Sequence, residues 1–168
     1  MSKSRFVREQ LASHHLLGRF NSGEQDIDFW LRESALKASA RDYSRTYVWH
    51  PHDDHVVAFF TLSTYSFSPD QLPKKWARGE QRVIPAVLLG KFALDRSLQG
   101  QGLSRLLIAD VVTEVEKASQ IAAARYLVVD ALTPELIGLY ESFGFQHALE
   151  SGAGKNRLFV RIKDLAKS

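Results

Sequence analysis

The 168-residue chain contains no cysteine, which excludes disulfides, thiolate metal sites and a cysteine nucleophile, and suits a reducing cytoplasm. It also lacks any apolar run near the roughly 20 residues that a membrane-spanning helix needs. Met1 to Arg8 carries charge with no apolar stretch behind it, so neither a signal peptide nor a membrane partner is expected. Repeats and low-complexity segments are missing as well. With 45% hydrophobic residues and a net charge of +3, the composition predicts one soluble domain over residues 1–168 with a full core.

What is present is concentrated between Val87 and Leu107, where an apolar strand passes through a glycine-bearing turn into an amphipathic helix. Backbone N–H groups at a helix start converge on anions. Glycine at 100 and 102 permits tight or positive-φ geometry and close approach of a ligand. A nucleotide-hydrolase loop would need Lys and then Ser or Thr after the last glycine, but Leu103 and Ser104 stand there. A dinucleotide turn would need a third glycine where Arg105 stands. The remaining readings are a pyrophosphate-binding turn or a helix start without a ligand.

Elsewhere the elements alternate as a mixed α/β fold requires. Ser22 with Gln25 reads as a capping box for a helix whose apolar stripe is Ile27, Trp30, Leu31, Ala35 and Ala38. Arg45 to Trp49 and Val56 to Tyr65 read as strands of a hairpin through Pro51 to Asp54. A polar connection from Ser68 to Arg82 leads to a central strand, Ala86 to Leu94. The helix after the glycine turn is expected to bury Leu103, Leu106, Leu107, Val111, Val115 and Ala118. Tyr126 to Asp130 reads as a buried strand. Thr133 caps a short helix reaching Phe143, with Pro134 at its first position. Gln146 to Leu149 and Leu158 to Ile162 form a final hairpin around Ser151 to Lys155.

Two side-chain groups bear on function. His50, His52 and His55 sit around the first hairpin with Asp53 and Asp54; they are read as a solvated tip, and no metal site is assigned. His14 and His15 show no partner signal. Arg32, Lys37, Arg41 and Arg45 follow one another along the first helix and its exit, while Lys74, Lys75, Arg78 and Arg82 crowd the polar connection and Lys91 lies in the central strand. Such cations are either solvated charge or a rim able to neutralise RNA phosphates. Asp95 and Asp130 end strands, where a structural role is favoured over work on a substrate.

Gln99-Gly100-Gln101-Gly102-Leu103-Ser104 resembles the acyl-CoA motif of the GNAT family of N-acetyltransferases, with Ser104 where the family prefers Gly or Ala and Gln101 where a basic residue is frequent. Leu139-Tyr-Glu-Ser-Phe-Gly-Phe145 is similar to the family's second coenzyme segment. The resemblance implies a central, mostly antiparallel twisted sheet with flanking helices, splayed between strands 4 and 5 to hold acetyl-CoA as co-substrate. It implies coenzyme contacts from Phe92, Ala93, Leu94, Gln99, Gly100, Gln101, Gly102, Leu103, Ser104, Arg105 and Phe143. Tyr140 is implied to be the catalytic residue facing the thioester sulfur. A phenol with an unperturbed pKa near 10 can serve there as general acid, and a backbone N–H from the Phe92–Leu94 strand can receive the oxyanion. An α-amine, with a pKa of about 7.7–8.0, is substantially neutral in a cell and needs no strong base, unlike a lysine side chain.

Phe20-Asn-Ser-Gly-Glu24, Phe29 to Ala35, Ser44 to Val48 and Leu88 to Asp95 are similar to the acetyltransferase toxins of type II toxin–antitoxin modules. For that group the acceptor is the α-amino group of aminoacyl-tRNA, whose acetylation blocks translation. Lys37, Arg41, Arg45, Lys74, Lys75, Arg78, Arg82 and Lys91 are the expected tRNA contacts. A homodimer is implied, as is a ribbon-helix-helix antitoxin that covers the active site and alone touches operator DNA. Two other classes stay open: an acetyltransferase acting on a small-molecule amine or protein N-terminus, and a catalytically silent protein that binds CoA or an antitoxin.

Overall fold

A computed structural model describes residues 4–149 and 156–165. The elements are, in order, β1 (Val7–Gln10), α1 (Gln25–Glu33), α2 (Ala35–Ala40), β2 (Arg45–His50), β3 (Ala58–Phe67), α3 (Lys74–Ala77), β4 (Ile84–Leu94), α4 (Leu103–Ile121), β5 (Tyr126–Asp130), α5 (Pro134–Ser142), β6 (Gln146–His147), β7 (Arg157–Arg161) and α6 (Ile162–Leu165). Short 3-10 turns cover Pro69–Gln71 and Arg96–Leu98. The fold is mixed α/β. The residues form two compact units, one of 1–63 with 90–108 and one of 64–89 with 109–168.

In the first unit β1, β2, β3 and the end of β4 are successive neighbours in a sheet. The β1–β2 and β2–β3 pairs are antiparallel, with Val7↔His50 and Val48↔Phe59 among the partners. One face buries Leu11, Phe20, Leu31, Ala35, Val48, Val56, Phe59 and Ala93, with Ile27 and Trp30 packed against them. The expected helical stripe therefore does reach a core, but on two helices. Ser34, at φ −123°, ends α1 after Glu33 and precedes α2.

The expected capping box is rearranged. Glu24 is the N-cap residue and its side chain makes no cap bond. The buried Asp28 carboxylate instead reaches back to accept from Ser22 N at 3.1 Å and Ser22 Oγ at 2.6 Å. Strand β1 is an addition to the sequence reading: its four residues alternate half-buried with exposed, too short a pattern to stand out.

In the second unit β4 pairs in parallel with β5 from Ala86↔Tyr126 to Leu89↔Val129, and β7 pairs antiparallel with both β5 and β6. The parallel ladder ends at Leu89 although β4 runs on to Leu94. Phe67, Leu72, Ile84, Ala86, Tyr126, Val128 and Phe159 form this unit's core. Gln146–His147 and Arg157–Arg161 do pair as the final hairpin, while Ser151 to Lys155 lie outside the described residues. On α4 the buried residues are Leu107, Ile108, Val111 and Val115. Leu106 and Ala118, expected inside, are exposed and Leu103 is half-buried, because Ile108 rather than Leu106 completes the i, i+4 stripe.

The histidine reading needs correction. His50 and His15 are both buried, and both Nε2 atoms lie 2.8 Å from Glu9 Oε1. His52 Nε2 meets the Ser4 carbonyl at 2.7 Å, and His55 Nδ1 is buried with no hydrogen-bond partner among the described residues. Ligand atoms of Glu9, His15, His50 and Asp54 lie within 4.8 Å of one another. Their wiring is that of a hydrogen-bond hub. His15 Nδ1 accepts from Ala12 N and His50 Nδ1 from Asp54 N, so in each neutral ring the proton sits on Nε2 and is donated to Glu9. A metal at Nε2 would need the lone pair that this tautomer lacks.

The hydrogen bonds from His15 and His50 hold the Glu9 carboxyl below its ordinary value of 4.5. A carboxyl depressed on folding stabilises the native state above its unfolded pKa, and this contribution is lost as pH falls through the folded value. Glu9→Ala, which leaves two buried donors without an acceptor, is expected to lower stability by about 2 kcal/mol at pH 7 in urea unfolding. The gap between wild type and variant should narrow below pH 4.5.

Candidate active site

The first unit contains the glycine turn. Leaving β4, Asp95 Oδ2 accepts from Ser97 N and Oγ, and Oδ1 accepts from Asn21 N at 2.9 Å. Partial burial opposes its charge, yet these bonds hold its carboxyl below the ordinary value. Asp95 is thus a cap, the structural role favoured from sequence. Gln99 Nε2 donates to the Ser22 carbonyl at 2.8 Å and the Leu94 carbonyl at 3.0 Å, and Gln101 Nε2 to the Ser97 carbonyl at 2.8 Å. Both amides therefore brace the turn.

Gly100 and Gly102 follow at φ +78° and +75°. A Cβ on either would meet no protein atom within 4 Å, so crowding by the fold does not explain these glycines. Their backbone sign does, and it leaves open space above the turn. The first N–H groups of α4 have no intrahelical acceptor, and the helix's positive end adds to their attraction for an anion. Leu103 and Ser104 are half-buried and Arg105 is exposed on the first turn of the helix. Phe92, Ala93 and Leu94, at the end of β4, have buried side chains.

In the second unit Thr133 Oγ1 accepts from Leu136 N at 3.2 Å, capping α5 as expected. That helix carries Tyr140, which is 1% exposed and packs on Phe145 at a ring separation of 5.4 Å. Burial pushes its phenol pKa upward, so the hydroxyl keeps its proton. Phe143 follows as the C-cap, and Gly144 turns the chain at φ +93°.

Asp130 proves structural as well. Arg157 grips it through two bonds of 2.7 and 2.8 Å, and also donates to Tyr65 OH and to Gln71 Oε1. The Asp130 side-chain bonds come first among the causes that raise the Arg157 pKa. No local pattern announces this cluster, because its members lie up to 92 positions apart in the chain.

The eight cations fall into both units. Lys37, Arg41 and Arg45 are exposed on α2 and its exit, and Lys91 Nζ lies 4.9 Å from the Trp30 ring centroid. Arg45 is held by Asp42 at 2.7 Å and by the Ser39 carbonyl. Lys74, Lys75, Arg78 and Arg82 are exposed on α3 and the following connection.

The glycine turn with its two left-handed residues lies in the first unit, and the buried Tyr140 phenol lies in the second. The acetyltransferase (GNAT) family pattern matches residues 10–145, and the chain belongs to that family. It is 32% identical over 127 residues, 76% of each chain, to a tRNA-acetylating toxin of Mycobacterium tuberculosis (strain ATCC 25618 / H37Rv). The structure resembles AtaT complexed with acetyl-methionyl-tRNAfMet, with a TM-score of 0.86 and 29% identity over 96% of this chain and 98% of that one. It also resembles a mutant AtaT toxin bound to the C-terminus of the antitoxin AtaR and acetyl-CoA, with a TM-score of 0.81 and 27% identity over 98% of each chain.

Acetyl-CoA is the co-substrate. Gly102→Val places a side chain in the open space above the turn and forces a left-handed residue, at about 1–2 kcal/mol. The variant is expected to fold with Tm lowered by about 2–4 °C per kcal/mol. Its acetyl-CoA Kd in calorimetry should rise at least about tenfold, equivalent to 1.4 kcal/mol.

Proposed function

We propose that this chain transfers the acetyl group of acetyl-CoA to the α-amino group of an aminoacyl-tRNA, which removes that amine from translation. The observation that carries the reading is the pair of left-handed glycines opening unfilled space at the mouth of α4. The tRNA-acetylating relative gives the acceptor class.

The amine nitrogen attacks the thioester carbonyl carbon, a tetrahedral oxyanion forms, and the carbon–sulfur bond then breaks. Backbone N–H groups of the Phe92–Leu94 strand receive the oxyanion, and those of Gly100 to Arg105 hold the pyrophosphate. The acceptor's extra proton passes to water. The departing sulfur takes its proton from Tyr140, which is then reprotonated from solvent. A phenol raised by burial stays protonated until the sulfur departs, and its hydrogen bond to sulfur strengthens as charge collects there, ahead of the proton's transfer. No carboxylate base is required, since an α-amine is substantially neutral near pH 7.7–8.0. Asp95 and Asp130 are correspondingly committed to caps and ion pairs.

Lys37, Arg41, Arg45, Lys74, Lys75, Arg78, Arg82 and Lys91 supply positive charge for the RNA backbone. The same reading makes the chain a cytoplasmic toxin, homodimeric, and restrained by a ribbon-helix-helix antitoxin that carries the complex to operator DNA. The AtaT complex with the C-terminus of AtaR supports an antitoxin tail as the inhibitor.

Incubation of purified protein with labelled acetyl-CoA and total charged tRNA tests the acceptor directly. Label in aminoacyl-tRNA is expected; label only in polyamines or protein N-termini would refute the assignment. Tyr140→Phe should retain acetyl-CoA affinity while kcat falls by about 10²–10⁴, and induction of this variant should no longer arrest growth.

A further inference from the structure

The exit of α2 is a rigid turn that presents an aromatic ring to solvent. Tyr43 N donates to the Ala38 carbonyl at 2.9 Å and Asp42 N to the Ser39 carbonyl at 3.1 Å, the paired bonds of a Schellman helix end. Asp42 takes the left-handed position at φ +62°, which glycine usually fills. The aspartate brings something that glycine could not: its carboxylate holds Arg45 Nη2 at 2.7 Å, while Arg45 Nη1 meets the Ser39 carbonyl at 2.9 Å. Strained backbone of this kind persists where the surroundings over-determine it, and it clusters at functional positions.

In such helix ends the residue after the left-handed one commonly packs back on the helix. Tyr43 instead remains 68% exposed. The Arg41 guanidinium lies 5.3 Å from its ring centroid. Between Lys37 and Arg45 three cations face one carboxylate. Cations complement the negative end of a helix, which accounts for the charge but not for an exposed aromatic fixed in place.

We infer that Tyr43 is a stacking platform for an unpaired nucleobase of the RNA acceptor, with Arg41 as its cationic flank and Lys37 and Arg45 beside the adjoining phosphates. Stacking on aromatic side chains, with cation–π support from arginine, is how single-stranded nucleic acid is held without base-specific hydrogen bonds. The inference rests on the tRNA reading of the site and adds to it a binding element outside the coenzyme turn. Its large exposure makes Tyr43 replaceable without a cost to the core.

Two measurements on the full chain test it. In the first, a single-stranded RNA oligonucleotide ending in CCA, with 2-aminopurine in place of the adenine, reports stacking as quenched fluorescence. Wild type and Tyr43→Trp should quench it, and Tyr43→Ala should not. In the second, at saturating acetyl-CoA, Tyr43→Ala should raise the KM for charged tRNA about tenfold, with kcat and acetyl-CoA Kd unchanged, and Tyr43→Trp should restore it. Equal quenching by wild type and Tyr43→Ala overturns the inference. So does a Tyr43→Ala variant with unchanged KM, including one that loses self-association or antitoxin binding instead. If wild type labels no tRNA, the function proposal fails, and the quenching assay still decides on the platform.

Discussion

The geometry of the glycine turn depends above all on one side-chain amide, that of Gln99. Gln99 Nε2 donates both to the last carbonyl of β4 and to the Ser22 carbonyl in the lead-in to α1. It ties the strand end to a loop 77 positions earlier in the chain. Ser22 is itself held by the buried Asp28 carboxylate, and neighbouring Asn21 is bonded on both sides, to Asp95 and to Arg96 N. The glycines at 100 and 102 can then keep left-handed backbone over open space, because the chain on either side of them is already fixed. A long flexible amine at position 99 would place one charge there and lose the planar amide that spans two carbonyls.

The same bracing explains what could be read from the residues alone. Local grammar was sufficient where one stretch determined the outcome. Tyr126–Asp130 forms the strand read for it, Thr133 caps α5 with Pro134 behind it, and the glycines at 100 and 102 have the backbone sign expected of them. It was insufficient where the decisive partner lay far away. Asp28 displaced Gln25 as the residue that reaches back to Ser22, since a buried carboxylate must collect donors and Ser22 offers two. Arg157 with Asp130, Tyr65 and Gln71 has no local signature. Nor did His15, whose Glu9 partner is obvious only once β1 has paired with β2 and brought His50 alongside.

Strand β4 shows how a ladder is interrupted without leaving an orphaned donor. Lys91 N is taken by Thr61 Oγ1 at 2.9 Å, and a Cβ at Gly90 would come within 3.0 Å of that same hydroxyl. Glycine at 90 is thus demanded by close approach, whereas 100 and 102 are demanded by φ. The threonine hydroxyl, on β3, takes the place of a strand carbonyl for Lys91 N, while on the other edge of β4 the parallel ladder with β5 runs to Leu89.

Left-handed residues in this chain divide by what they must leave free. At Gly100 and Gly102 no protein atom beyond the chain neighbours lies within 4 Å of a would-be Cβ. Asp42, His52 and Asp54 accept the same backbone sign with side chains present. Two of these side chains hold the structure: Asp42 clamps Arg45, and His52 meets the Ser4 carbonyl. Asp54 contributes chiefly its N–H to His50 Nδ1, which sets the tautomer that the Glu9 hub requires. Asparagine, aspartate and histidine tolerate this conformation better than other side-chain-bearing residues. The cost of each is offset by a bond that glycine could not make or by a donor whose direction the turn imposes.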